Sequence, residues 1–163
     1  MGPDFGTLIS ALSKHGVECV IIGGVAMAVR GSSYTTEDFD IAYAHDEANI
    51  EKLVAALKPY HPRLRVQGEP SGVAFKFDAR AIKNGGNFTL LTDAGNVDLL
   101  AHVDGFRDYA DIKSCAGYVD AFGSEIAVLS IDGLIRAKRA AARPKDLLVL
   151  PELEVLKEAQ ERR

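Results

Sequence analysis

The stretch Asp38-Phe39-Asp40-Ile41 sets two carboxylates two residues apart. On a strand, Asp38 and Asp40 would point to one face while Phe39 and Ile41 point to the other. Neighbouring carboxylates repel unless a cation lies between them. Oxygen-only ligands suit magnesium, or manganese in its place. Upstream, the apolar run Val20-Ile21-Ile22 ends at Gly23-Gly24 and continues as Val25 to Val29. Glycines after a strand let the backbone approach a ligand closely, with the N–H groups of the next helix facing it. Gly23 and Gly24 are therefore candidate phosphate contacts. The polar loop Gly31–Glu37 adds Ser33 and Thr36. A phosphate cradle beside a magnesium site is nucleotide chemistry.

A third carboxylate is available in Asn96-Val97-Asp98-Leu99-Leu100. On a strand beside the first, Asp98 would complete the cluster, help bind the metal and accept a hydroxyl proton. Asp93 and Asp104 are nearby competitors, both placed in turns. Arg136, Lys138, Arg139, Arg143 and Lys145 form a dense basic cluster that suits a phosphate or an acceptor, or is simply a solvated helix face. Lys138 and Arg143 fall off one stripe of a straight helix, but Pro144 can change that geometry. Asp146 can pair with a neighbouring base. The four histidines have no ligand spacing, and neither a Walker A motif nor GxGxxG is present.

Gly23-Gly24, thirteen residues, then Asp38-Phe39-Asp40 resembles the signature of the DNA polymerase β-like nucleotidyltransferase superfamily. Thr36, two residues before the first aspartate, is similar to its place in many small members; Tyr34 stands where many relatives have Arg. Asn96 to Leu100 resembles the strand with the third carboxylate. Leu134 to Asp146 resembles the closing helix of small bacterial members, including AbiEii-type toxins. The resemblance covers roughly residues 17 to 146. It implies magnesium (or manganese) on Asp38, Asp40 and Asp98, with Asp98 as base. It also implies nucleotide contacts from Gly23, Gly24, Ser33, Thr36, Lys138 and Arg143. The implied reaction moves a nucleotide from an NTP to a hydroxyl on RNA such as tRNA, on a protein or on a small molecule, and releases pyrophosphate. A toxin-like member would have an antitoxin partner. The alternative is a catalytically silent binding protein that keeps the fold.

The elements that must position these residues follow from periodicity. Asp4 caps a first helix with Phe5, Leu8, Ile9 and Leu12 on one face, and Gly16 ends it. Cys19–Ile22 reads as an apolar, central strand, and the polar loop leads into a further strand, Asp38–Tyr43. Asp46 caps a helix with Ile50, Leu53, Val54 and Leu57, and Pro59 stops it. Leu64–Val66 and Val73–Phe77 read as short strands, and residues 84–87 as a turn. Phe88–Leu91 and Val97–His102 read as a hairpin. Residues 104–124 show no clear period. Ile126–Leu129 is a last strand. Ser130 caps a helix that Pro144 bends or restarts, and a final helix covers about 145–160.

The chain has 163 residues, enough for one domain with a real core, and 47% are apolar. The expected fold is α+β: one domain with a mixed, twisted sheet, helices packed on it, and C-terminal helices over about 131–160. A net charge of −4 argues against a broad nucleic-acid surface. Cys19 and Cys115 are too far apart for a metal motif and read as reduced thiols. The longest apolar run, Val20–Val29, is too short to span a bilayer, and Gly2 lacks a myristoylation context. A cytoplasmic protein without membrane attachment is expected.

Overall fold

The computed structural model describes residues 3–163. In chain order these form α1 (Phe5–Lys14), β1 (Cys19–Ile22), α2 (Gly23–Val29), β2 (Asp38–Tyr43) and α3 (Glu47–Leu57). Then come β3 (Arg63–Val66), β4 (Glu69–Val73), α4 (Ala79–Asn84), β5 (Phe88–Thr92), β6 (Gly95–Leu100) and α5 (Tyr109–Ser114). The chain closes with β7 (Ala116–Ala121), β8 (Ser124–Leu129), α6 (Ile131–Ala141) and α7 (Pro144–Glu161). The strands make one sheet in the order β4-β3-β5-β6-β2-β1-β8-β7. It is mixed: β1 runs antiparallel to β2 and parallel to β8, and β2 runs parallel to β6. This is the α+β architecture that the sequence predicts.

The strands at the centre bury one whole face. Phe39, Ile41, Val97, Leu99 and Leu90 have no exposed surface. Phe5 of α1 stacks on Phe39 with ring centroids 6.0 Å apart, so α1 covers that face. Leu8, Ile9 and Leu12 follow from α1, and Ile50, Leu53 and Leu57 from α3, all in the same core. Period-2 alternation then forces Asp38, Asp40 and Asp98 onto the opposite face.

Both caps expected at the first helices are made: Asp4 accepts from the Thr7 amide at 3.0 Å and Asp46 from the Asn49 amide at 3.0 Å. Ser130 caps α6 through the Gly133 amide, and Pro144 opens α7 at its first turn, where its missing N–H costs nothing.

Three expectations need correction. The strand expected over Val73–Phe77 is instead β4, Glu69–Val73. Pro70 and Gly72 disguise it, and both are tolerated because β4 lies at the sheet edge. The alternation of Phe75 and Phe77 reflects aromatic packing: the two rings meet edge to face, and Phe75 stacks on Phe88. Asp78 then caps α4, accepting from the Ala81 amide at 2.9 Å. Residues 104–124 contain α5, capped by Asp108, and β7, which pairs along β8. β7 is the other edge strand and is only partly buried, so it shows no apolar period. Finally, β6 ends at Leu100, short of His102.

Candidate active site

The β1–α2 junction is a forced left-handed turn. Gly23 has φ +67°, and a Cβ there would overlap the Asp40 carboxylate. Only glycine satisfies both conditions. Gly24 is buried and faces Thr36: a Cβ on it would lie 2.6 Å from the Thr36 Cβ. Thr36 is therefore packed over the glycine turn, and its hydroxyl accepts from the Asp38 amide at 3.1 Å. Thr36 fixes where β2 begins. The geometric reason for Gly24 is thus the approach of Thr36, where the sequence suggested the approach of a phosphate. Ser33 is also engaged: its amide donates to Glu152 Oε1 of α7 at 2.8 Å, and its hydroxyl meets the same oxygen at 3.4 Å.

β2 and β6 lie side by side with Asp40 opposite Asp98 and Asp38 opposite Asn96. The Asp38, Asp40 and Asp98 side chains thus gather on one face at the middle of the sheet. Burial pushes the Asp40 carboxyl up to about 7, reinforced by the Asp98 and Asp38 carboxylates; the Lys138 ammonium offsets part of this. Asp40 Oδ1 is buried and has no hydrogen-bond partner among the described residues. Asp98 is 17% exposed at its side chain and Asp38 44%, so the cluster opens from a buried inner acid to an accessible outer one.

Two residues at this cluster carry no separate signal in the linear sequence. Asn96 donates from Nδ2 to Asp38 Oδ1 at 3.1 Å. The period-2 argument that places Asp98 also places Asn96 on its face, so this partner was within reach of the sequence. Arg65 was not. It donates to Asp98 Oδ1 at 2.9 Å, and its Nη1 lies 3.7 Å from Asp38 Oδ1. Nothing in Arg63-Leu64-Arg65-Val66 marks one arginine over the other.

Of the two competitors, Asp93 lies away from the cluster and Asp104 beside it. Asp93 pairs with Arg63 at 3.1 Å and His61 at 2.5 Å in the β5–β6 turn. Asp104 joins Gly23, Asp40, His102, Lys138 and Arg143 around a cavity of about 300 Å³ beside Asp40.

α6 and α7 close that cavity. Ala142 adopts φ +52° and turns the chain between them. The reversal brings Lys138 and Arg143 onto one carboxylate. Asp146, with no exposed surface, accepts from Lys138 Nζ at 3.2 Å, from Arg143 Nε at 2.7 Å and from the Arg143 amide at 3.1 Å. Burial raises the Asp146 carboxyl, but these donors outweigh it and hold the group below its ordinary value. The pairing expected of Asp146 is thus present, and the spacing problem between Lys138 and Arg143 is solved by the turn before Pro144. The rest of the basic cluster is largely spoken for. Arg136 binds Asp111 at 2.7 Å and lies 4.3 Å over the Phe106 ring, and Arg139 pairs with Glu154. Lys145 alone of the five has no ion-pair partner among the described residues.

No group of three His, Cys, Asp or Glu side chains among the described residues is arranged as a ready metal cage. Asp98 and Asp38 both face Arg65. The donor set nonetheless fits a hard divalent cation. It offers carboxylate oxygens from adjacent strands, and one of them, Asp40 Oδ1, is buried without a partner.

The fold is similar to that of two solved structures of nucleotidyltransferase type. A candidate nucleotidyltransferase from Thermotoga maritima superposes with a TM-score of 0.54 at 16% identity, covering 98% of this chain and 91% of that one. ANT(2″)-Ia, solved in complex with adenylyl-2″-tobramycin, superposes with a TM-score of 0.56 at 14% identity, covering 97% and 95%. No family model and no curated protein matches the sequence. No helix among the described residues is long and apolar enough to cross a membrane.

Proposed function

We propose that this chain is a metal-dependent nucleotidyltransferase that moves a nucleotide from an NTP to a hydroxyl acceptor and releases pyrophosphate. The observation that carries this reading is the register of β2 against β6. It sets Asp40 opposite Asp98 and Asp38 beside them, at the exit of a glycine turn. The likeness to two nucleotidyltransferase-like structures over nearly the whole chain supports the fold that the reading needs.

Asp38, Asp40 and Asp98 would hold Mg2+ (or Mn2+). When bound, the cation would neutralise triphosphate charge and make the acceptor hydroxyl more acidic. Asp98, on a different strand from the other two, would take the hydroxyl proton. The amides at the start of α2 would meet phosphate oxygens, although α2 has only seven residues. Lys138 lies on the same cavity as Asp40 and would offer a cation to a phosphate there. Ser33 and Thr36 would shape this loop through Glu152, Gly24 and Asp38 more than by touching phosphate themselves.

The acceptor we favour is a small polar molecule. Four of the five residues in the basic cluster already face an acid of this chain, which leaves little charge for an RNA backbone such as tRNA. The cavity beside Asp40, about 300 Å³ and lined by Asp104, Asp146 and His102, has the size and polarity for a small hydroxyl compound. That ANT(2″)-Ia, similar in fold, was solved with an adenylylated tobramycin supports a small-molecule acceptor. A toxin-like member with an antitoxin would instead label RNA or protein.

The test is incubation with each labelled NTP and Mg2+ against three acceptor pools: total RNA, protein lysate and a panel of aminoglycosides and other polyols. Transfer to the small-molecule pool is expected. Transfer only to RNA or protein would move the acceptor assignment. NTP binding without transfer to any pool would favour a silent binding protein, and no NTP binding would end the nucleotide reading.

A further inference from the structure

Arg65 projects onto the carboxylate cluster from β3, three strands away from β2 in the sheet. The ladder between β3 and β4 shifts register between Leu64 and Val66, so Arg65 sits at a bulge. A bulge in an edge region re-aims one side chain, and here that chain is the guanidinium. β3 pairs with β5 at Leu64–Leu90, and Thr89 of β5 pairs with Asp98 of β6. One residue further along β3, Arg65 heads a cross-strand row that continues through Thr89 and Asp98 to Asp40. Its Nη1 also donates to the Leu90 carbonyl at 3.3 Å, which holds the fork over the sheet.

The guanidinium contacts Asp98 and Asp38 but leaves Asp40 Oδ1 with no partner. One guanidinium thus touches two of the three acids, while Asp40 faces the Lys138 ammonium at longer range. We propose that Arg65 is a displaceable counter-cation of this cluster. It occupies Asp98 and Asp38 in the metal-free protein and must release them before a divalent cation can take all three carboxylates. This rests on the reading of Asp38, Asp40 and Asp98 as metal ligands. The physical reason is competition. A guanidinium and a divalent cation seek the same carboxylate lone pairs, and Arg keeps its charge at any ordinary pH. The side chain is 31% exposed, so it has solvent to move into.

The experiment is Mn2+ binding, without nucleotide, followed by electron paramagnetic resonance and calorimetry. It compares the parent, Arg65→Gln, Arg65→Lys and the double variant Asp38→Asn/Asp40→Asn. Arg65→Gln is expected to tighten Mn2+ at least about tenfold. Arg65→Lys, which keeps the charge without the planar fork, should fall between. The double Asn variant should bind no Mn2+. Equal or weaker Mn2+ binding by both Arg65 variants, with the parent binding and the double variant not, would overturn the displacement role and leave the metal reading standing. No specific binding by any of the four would overturn both. Circular dichroism of each variant checks folding. Should Arg65→Gln fail to fold, the Lys variant decides: affinity at or below the parent's overturns the proposal.

Discussion

Asp40 of β2 lies directly across from Asp98 of β6, and the Cβ direction of Gly23 is filled by the same Asp40 carboxylate. One acid therefore links the two strands of the cluster to the turn that opens α2. Its burial costs stability whenever it is charged, and that cost has a pH signature.

Asp40 has its folded-state pKa raised to about 7, by burial first and then by its neighbouring carboxylates. A raised carboxyl binds its proton more tightly when folded than when unfolded. Stability therefore falls as pH rises from the unfolded value through about 7. In chelator, Asp40→Asn should raise the melting temperature at pH 8 by about 5 °C and change it little at pH 4. Melting curves across that range check this; a gain as large at pH 4 would mean that the buried charge on Asp40 is not its source.

The three carboxylates should not be equivalent in chemistry. Asp38→Asn with Asp40→Asn should lose both NTP binding and transfer. Asp98→Asn should keep most NTP binding and lose transfer by at least about a hundredfold, the low range for a positioned acid–base group. Calorimetry with Mg2+-NTP and single-turnover assays separate the two. Unchanged transfer by Asp98→Asn would remove it from the site.

Gly24→Ala should destabilise the protein with no nucleotide present, by about 1–3 kcal/mol, because the added methyl meets Thr36. Urea denaturation measures this. Unchanged stability together with weakened NTP binding would restore the direct phosphate contact that the sequence suggested for this glycine.

Asp146→Ala should cost on the order of 3 kcal/mol at pH 7, since a buried acid with two basic partners is removed and Arg143 is largely exposed. The folded pKa of Asp146 is depressed, so its contribution is present above the ordinary carboxylate range and is lost as pH falls through the folded value. The gap between parent and variant should accordingly close in acid. A constant gap from pH 7 to pH 3 would assign the loss to packing alone.

Binding of any common NTP should raise the melting temperature only with Mg2+ or Mn2+ present. Ligand at a hundred times its dissociation constant stabilises by about 2.7 kcal/mol. A shift of equal size in chelator would argue against carboxylate-held metal.

Local physics made much of this protein legible in its sequence. The apolar run ending at Gly23 marked Cys19–Ile22 as a central strand, because two-sided burial favours such runs. Side-chain alternation put Asp38 and Asp40 on one face, and Asp4, Asp46 and Ser130 announced their helices through short-range caps. The edge strands β4 and β7 escaped, since half-buried strands carry no strong period and β4 contains Pro70 and Gly72. What only the tertiary structure decided was pairing. Asp98 opposite Asp40, Thr36 over Gly24, Lys138 on Asp146, and Arg65 on Asp98 each join residues that no local period relates. Residue spacing limits which face a side chain takes, but strand order and register determine which side chain it meets there.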